Sequence, residues 1–131
     1  MGKETLVAEK ITAAQTLLEG IEEQGIDFSV ALWLYRSATE DWKLYIGVND
    51  FGQVGPQPYY EGIQKVFSGL PDTLKNQIEL SDIFIVNSNY SELVPIKMMF
   101  HTGPKDIGGI RASGNYVNGM LIEDAYIYRA S

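Results

Sequence analysis

Gly109-Ile110-Arg111-Ala112-Ser113-Gly114-Asn115-Tyr116-Val117, Asn118-Gly119 and Met120-Leu121-Ile122-Glu123-Asp124-Ala125-Tyr126-Ile127-Tyr128-Arg129 form the stretch whose reading decides the fold. Asn-Gly between two alternating runs is the signature of a two-residue type I′ turn, since both central residues must take positive φ. Such a turn fixes the register: Val117 faces Met120, Asn115 faces Ile122, Ser113 faces Asp124 and Arg111 faces Tyr126. One side of this hairpin then holds Ile110, Ala112, Tyr116, Leu121, Ala125 and Ile127, an apolar set suited to covering helices. The opposite side holds Arg111, Ser113, Asn115, Asp124, Tyr126 and Tyr128.

A second hairpin lies upstream. In 28–36, Phe28, Val30, Leu32 and Leu34 share one side while Ala31, Trp33 and Tyr35 share the other. Both sides being apolar predicts an interior strand, or one whose second side meets a partner. Trp42, Leu44, Ile46 and Val48 alternate through 42–48, and Ile83-Phe84-Ile85-Val86 reads as a short buried strand.

Helical periodicity fills the gaps. Val7, Ile11, Ala14, Leu18 and Ile21 recur at spacings of four and three, which predicts a helix over 3–24 with Gly25 as its left-handed stop. Pro58 opens a second helix with Tyr60, Ile63, Val66, Phe67 and Leu70 on its apolar side. Residues 90–101 fit either state, because Val94, Ile96, Met98 and Phe100 alternate as a strand would. The helix is favoured, with Asn89 or Ser91 as its cap and Pro95 near its first turn. The chain is thus expected to be one α+β domain over 1–131, in the order α-β-β-α-β-α-β-β. Its five-stranded sheet is mostly antiparallel and its helices lie chiefly on one face.

Composition narrows function by exclusion. The 131 residues contain no cysteine, which removes disulfides, thiolate nucleophiles and cysteine-ligated metals and suits a reducing, cytoplasmic setting. A net charge of −7 with Lys and Arg scattered from Lys3 to Arg129 argues against nucleic acid as a partner. No apolar run approaches the ~18–20 residues of a membrane span, so no membrane association is expected. One histidine, His101, rules out multi-histidine metal sites within the chain, and no metal or cofactor is expected. His101 itself reads as a cation near a helix C-terminus, a role that involves no chemistry. The glycine-rich stretch 103–109, which carries Lys105, can cradle an anion but reads first as a connection into a strand.

The polar side of the final hairpin is the sharpest candidate. Arg111, Ser113, Asn115 and Asp124 lie within cross-strand reach and suit a small anionic ligand. Trp33, Tyr35, Tyr126 and Tyr128 are the candidate interface, because aromatics with a polar tip favour contact surfaces. Glu123 and Asp124, as strand neighbours, point to opposite faces and form no catalytic dyad.

The closing Ile122-Glu123-Asp124-Ala125-Tyr126-Ile127-Tyr128-Arg129, the run Gly109 to Asn115 before it, Trp33-Leu34-Tyr35 and Trp42 together resemble a group of small uncharacterised bacterial proteins. The resemblance implies a bacterial, intracellular domain and brings no activity with it. The leading expectation is a binding or protein-interaction module, a homodimer, with a protein partner or a small anionic ligand. The alternative is a small enzyme using Arg111, Glu123 and Asp124, with a divalent cation on the carboxylates.

Overall fold

Phe28–Arg36 (β1) is apolar on both sides because it is the centre of the molecule. In the computed structural model, which describes residues 8–36, 38–49, 55, 57–103, 107–117 and 120–131, β1 lies between Asp41–Val48 (β2) and Met120–Ala130 (β5). Ile83–Asn87 (β3) and Ile110–Val117 (β4) form the two edges, giving the order β3-β2-β1-β5-β4. The sheet is mixed: β2–β3 is parallel, and the other three pairs are antiparallel. For residues 113, 115–117, 120 and 121 the backbone pairing alone is described.

The hairpin register is the one the Asn-Gly turn dictates. Val117 pairs with Met120, Asn115 with Ile122, Ser113 with Asp124 and Arg111 with Tyr126. The turn residues Asn118 and Gly119 lie outside the described residues, as do Val7 of the first helix and Lys105 of the glycine-rich stretch.

Ala8–Glu23 (α1) buries Ala13, Ala14, Leu17, Leu18 and Ile21 against the sheet. Each large aliphatic in that set contributes about 1.5–3 kcal/mol of burial, which is what holds the helix down. Gly25, at φ 87°, ends α1 in the left-handed region that a side chain would disfavour. Gln57–Ser68 (α2) crosses α1 closely: a Cβ on Gly20 would stand 2.5 Å from Cγ1 of Val66. The short Asp72–Lys75 (α3) and a 3₁₀ turn at Leu80–Asp82 lead into β3. Val94–Met99 (α4) packs Ile96, with Leu93 just before it, into a second cluster.

Two cores result, one on each side of the sheet. The first gathers α1 and α2 residues around Ala31, Trp33, Tyr35, Trp42, Leu44, Ile46 and Tyr128. The second gathers Leu93 and Ile96 around Val30, Leu32, Leu34, Tyr45, Ala125 and Ile127.

Four local expectations need correction. Phe28 belongs to the first core, not with Val30, because the β1–β2 register shifts between Phe28 and Val30 and turns the side chain over. Tyr59 is the buried tyrosine of α2, one turn before Ile63, while Tyr60 is exposed. The Tyr60 hydroxyl accepts the backbone N–H of Ile85 at 3.1 Å, which occupies a donor on edge strand β3. Neither Asn89 nor Ser91 caps α4; Leu93 precedes it without a side-chain cap, and the extended Phe100 (φ −125°, ψ 137°) ends it before His101. Finally, the tyrosine side of the hairpin is the one under α1, while Ala112, Ala125 and Ile127 join the second core.

Candidate functional site

The sheet brings the hairpin's polar residues into a row with the aromatic core. Across one line run Leu44, Trp33, Tyr126 and Arg111; the neighbouring line holds Trp42 with Tyr35, and Asp124 with Ser113. Arg111 reaches diagonally to Asp124, a separation that a long side chain spans. Its Nε donates to Oδ1 and its Nη2 to Oδ2, both at 2.7 Å. The Asp124 side chain is only 7% exposed and that of Arg111 48%, so the carboxylate sits inside and the guanidinium forms its lid. The guanidinium also stands 5.5 Å from the centre of the Trp42 ring. Hydrogen bonding to Asp124 raises the Arg111 pKa above its already high ordinary value, against an opposing effect of burial.

This geometry limits what the pair can do. Asp124 is engaged on both oxygens, so a role as general base would first require breaking two charge-assisted bonds in a nearly closed setting. Glu123 is half-buried and immediately precedes Asp124 in the strand, so the two carboxylates point to opposite faces and do not converge on one ion. Among the described residues, no group of three or more His, Cys, Asp or Glu side chains is arranged to hold a metal. For Ser113 and Asn115 the backbone pairing places them opposite Asp124 and Ile122.

The aromatic candidates divide by burial. Trp33 and Tyr128 are wholly enclosed and Tyr35 nearly so, while Tyr126 is half-buried. The Trp33 indole donates to the Tyr128 hydroxyl at 3.1 Å, and that hydroxyl donates to the backbone oxygen of Ile11 in α1 at 2.7 Å. Burial pushes the Tyr128 phenol far up from its ordinary value. The second apolar side of β1 is thus covered by the chain's own first helix rather than open to a partner.

A polar cleft of about 470 Å³ opens beside Trp42, lined also by Lys10, Asp41, Asn76, Gln77, Glu79 and Asp82. Lys10 stands 5.9 Å over the Trp33 ring. Lys43 lies between Asp41 at 3.4 Å and Asp82 at 3.6 Å. The Thr39 hydroxyl, with Lys43 and Arg36, holds the Asp41 carboxyl below the usual carboxylate range.

One surface escaped the sequence reading. Of the six exposed large apolar side chains among the described residues, four fall within one ten-residue stretch: Tyr90, Val94, Met98 and Met99, with Met98 56% exposed. Val94 and Met98 are one helical turn apart, so the outward stripe was readable once 94–99 was taken as helix. The Tyr90 ring stacks on Tyr45 at 6.3 Å, and its hydroxyl donates to Glu92 at 3.4 Å. Glu92 in turn pairs with Arg36 at 3.6 Å, and Arg36 donates to the Tyr45 hydroxyl.

Among the described residues no helix is long and apolar enough to cross a membrane. The chain was compared with protein-family models, curated proteins and solved structures, and none of them matches it.

Proposed function

We propose that the chain is a small interaction module that pairs with a second copy of itself through the outer face of α4. The observation that carries this reading is the exposure of Tyr90, Val94, Met98 and Met99 within ten residues, on α4 and the turn that leads into it. Methionine packs adaptably, and clustered exposed apolar residues mark contact surfaces rather than chance exposure.

Charge distribution favours a second copy as the occupant. Residues 83–131 carry four acidic and four basic side chains, so the whole net charge of −7 belongs to residues 1–82. Two copies meeting over α4 join neutral segments. The acidic α1 lies on the other side of the sheet, beyond the ~8 Å over which salt screens exposed charges at physiological strength. A two-fold contact is self-complementary, so the same apolar stripe serves both copies. A cytoplasmic location belongs to the same reading, on the strength of a cysteine-free sequence. The alternative, an enzyme built on Arg111, Glu123 and Asp124, has the closed ion pair and the divergent carboxylates against it.

The test is sedimentation velocity across a wide concentration series. Wild type is expected to move from monomer to dimer as concentration rises. Met98→Asp should stay monomeric with an unchanged circular dichroism spectrum, since the side chain it replaces is already largely in water. A wild-type chain that remains monomeric throughout, or a dimer indifferent to both Met98→Asp and Met99→Asp, overturns the reading.

A further inference from the structure

We propose that Arg111 is a pre-set oxyanion receptor that uses the edge of its guanidinium left over from Asp124, and that its ligand is a small carboxylate or phosphate with a neutral or cationic remainder. A guanidinium carries five N–H bonds, one on Nε and two on each terminal nitrogen. Asp124 takes Nε and one hydrogen of Nη2, the side-on edge. The end-on edge, formed by Nη1 and the outer hydrogen of Nη2, keeps the same parallel fork that matches an oxyanion. Among the described residues nothing accepts a hydrogen bond from Nη1. The half of the side chain that remains exposed contrasts with the enclosed carboxylate behind it.

The fork is also held still. Asp124 fixes the guanidinium in its plane through two 2.7 Å bonds, and the Trp42 ring 5.5 Å away supports its face. A receptor already ordered loses little freedom on binding, so a weakly charged site can still be selective. On its own the Arg111–Asp124 pair is neutral. The second cation over this aromatic floor is Lys10, which stands above Trp33, a diagonal neighbour of Trp42 in the sheet. Lys10 and Trp42 both line the 470 Å³ cleft, which gives the rest of a ligand somewhere to lie. Asp41, Glu79 and Asp82 line that cleft too and disfavour any second anionic group there. A single oxyanion on a neutral or amine-bearing body therefore fits, and a polyphosphate does not.

This inference is independent of the α4 contact and fails or stands separately from it. The direct readout is the ¹H–¹⁵N spectrum of arginine side chains during titration with acetate, inorganic phosphate, glycine and tripolyphosphate. The expected result is a saturable shift of the Arg111 terminal nitrogens with one or more of the first three, Nε remaining nearly still because Asp124 stays bound. Arg111→Lys, followed through backbone amides near the site, should weaken that probe by about 10- to 100-fold, the factor a charge-assisted hydrogen bond commands. Lys10→Gln should weaken it several-fold, and serves as the second variant should Arg111→Lys lower the melting temperature. Comparing acetate, phosphate and glycine tells carboxylate from phosphate and shows whether an amine helps. The proposal is overturned if no probe gives a saturable shift, if Arg111→Lys binds as wild type does, if Nε moves first because the anion displaces Asp124, or if tripolyphosphate binds best.

Discussion

Replacing Tyr128 by phenylalanine removes one oxygen and nothing else, and the structure says what that oxygen holds. It accepts the Trp33 indole N–H at 3.1 Å and donates to the Ile11 carbonyl at 2.7 Å, linking β1, β5 and α1 at a fully enclosed point. In Tyr128→Phe the indole N–H is left buried without its acceptor, which costs about 1–3 kcal/mol, and the lost bond to Ile11 adds about 1 kcal/mol. The sum, about 2–4 kcal/mol, corresponds to a fall in melting temperature on the order of 10 °C for a chain of this length. Urea denaturation followed by circular dichroism measures it. The cycle with Trp33→Phe isolates the pair: once the indole is gone there is no orphan, so the double variant should be less destabilised than the two single losses combined. The linkage to pH has a definite sign. Burial raises the Tyr128 phenol above its ordinary pKa of 10.0, so its contribution is intact below pH 10 and is lost as pH rises beyond that. Wild type should therefore weaken in alkali, and Tyr128→Phe should lack that component. A Tyr128→Phe cost below about 0.5 kcal/mol, or additivity with Trp33→Phe within ~0.3–0.5 kcal/mol, would refute the assignment.

Two further substitutions test the helix layer. Gly20→Ala gains about 1 kcal/mol of helix propensity, yet the new methyl meets the stiff, β-branched Val66 at 2.5 Å. Overpacking of about 1–3 kcal/mol should win, giving a lower midpoint in thermal denaturation that Val66→Ala restores. Glu22→Gln removes the charge facing the wholly buried Arg129, whose Nη1 also donates to the Phe28 carbonyl at 3.2 Å. Glu22 is itself 26% exposed, so the loss should be about 1–3 kcal/mol in urea, discounted from the ~3–5 kcal/mol of a fully buried pair. Glu23→Gln, on the exposed side of α1, is the control and should change little.

What could be read from sequence was local. The Asn118-Gly119 signal dictated a register that β4 and β5 keep pair for pair, and the two-sided apolar run of β1 marked it as interior. Alternation divides a strand into two faces without saying what covers each. That required knowing that β5 inserts between β1 and β4, which puts Tyr128 under α1. The same gap made Trp33 look available when it is enclosed. A single shifted residue at Ser29 inverted Phe28, since a register slip of one reverses facing, and no side-chain pattern announces it. At the site, Arg111 and Asp124 were legible as neighbours from the register alone. That their pairing is side-on, with Trp42 beneath, depends on rotamers that sequence does not specify.

The position of β5 has a consequence for how the protein comes to exist in a cell. Tyr128 is made 95 residues after Trp33, the side chain it joins. At ~5–20 residues per second, a ribosome leaves β1 waiting roughly 5–20 seconds for its neighbour. Until then one edge of a strand that is apolar on both sides has unfilled backbone donors and acceptors, a template for pairing with other nascent chains. Synthesis should thus pass through a sticky interval whose length is set by translation speed. Slow codons between β2 and β5 would lengthen it, and a holding chaperone would find its target in Phe28–Arg36.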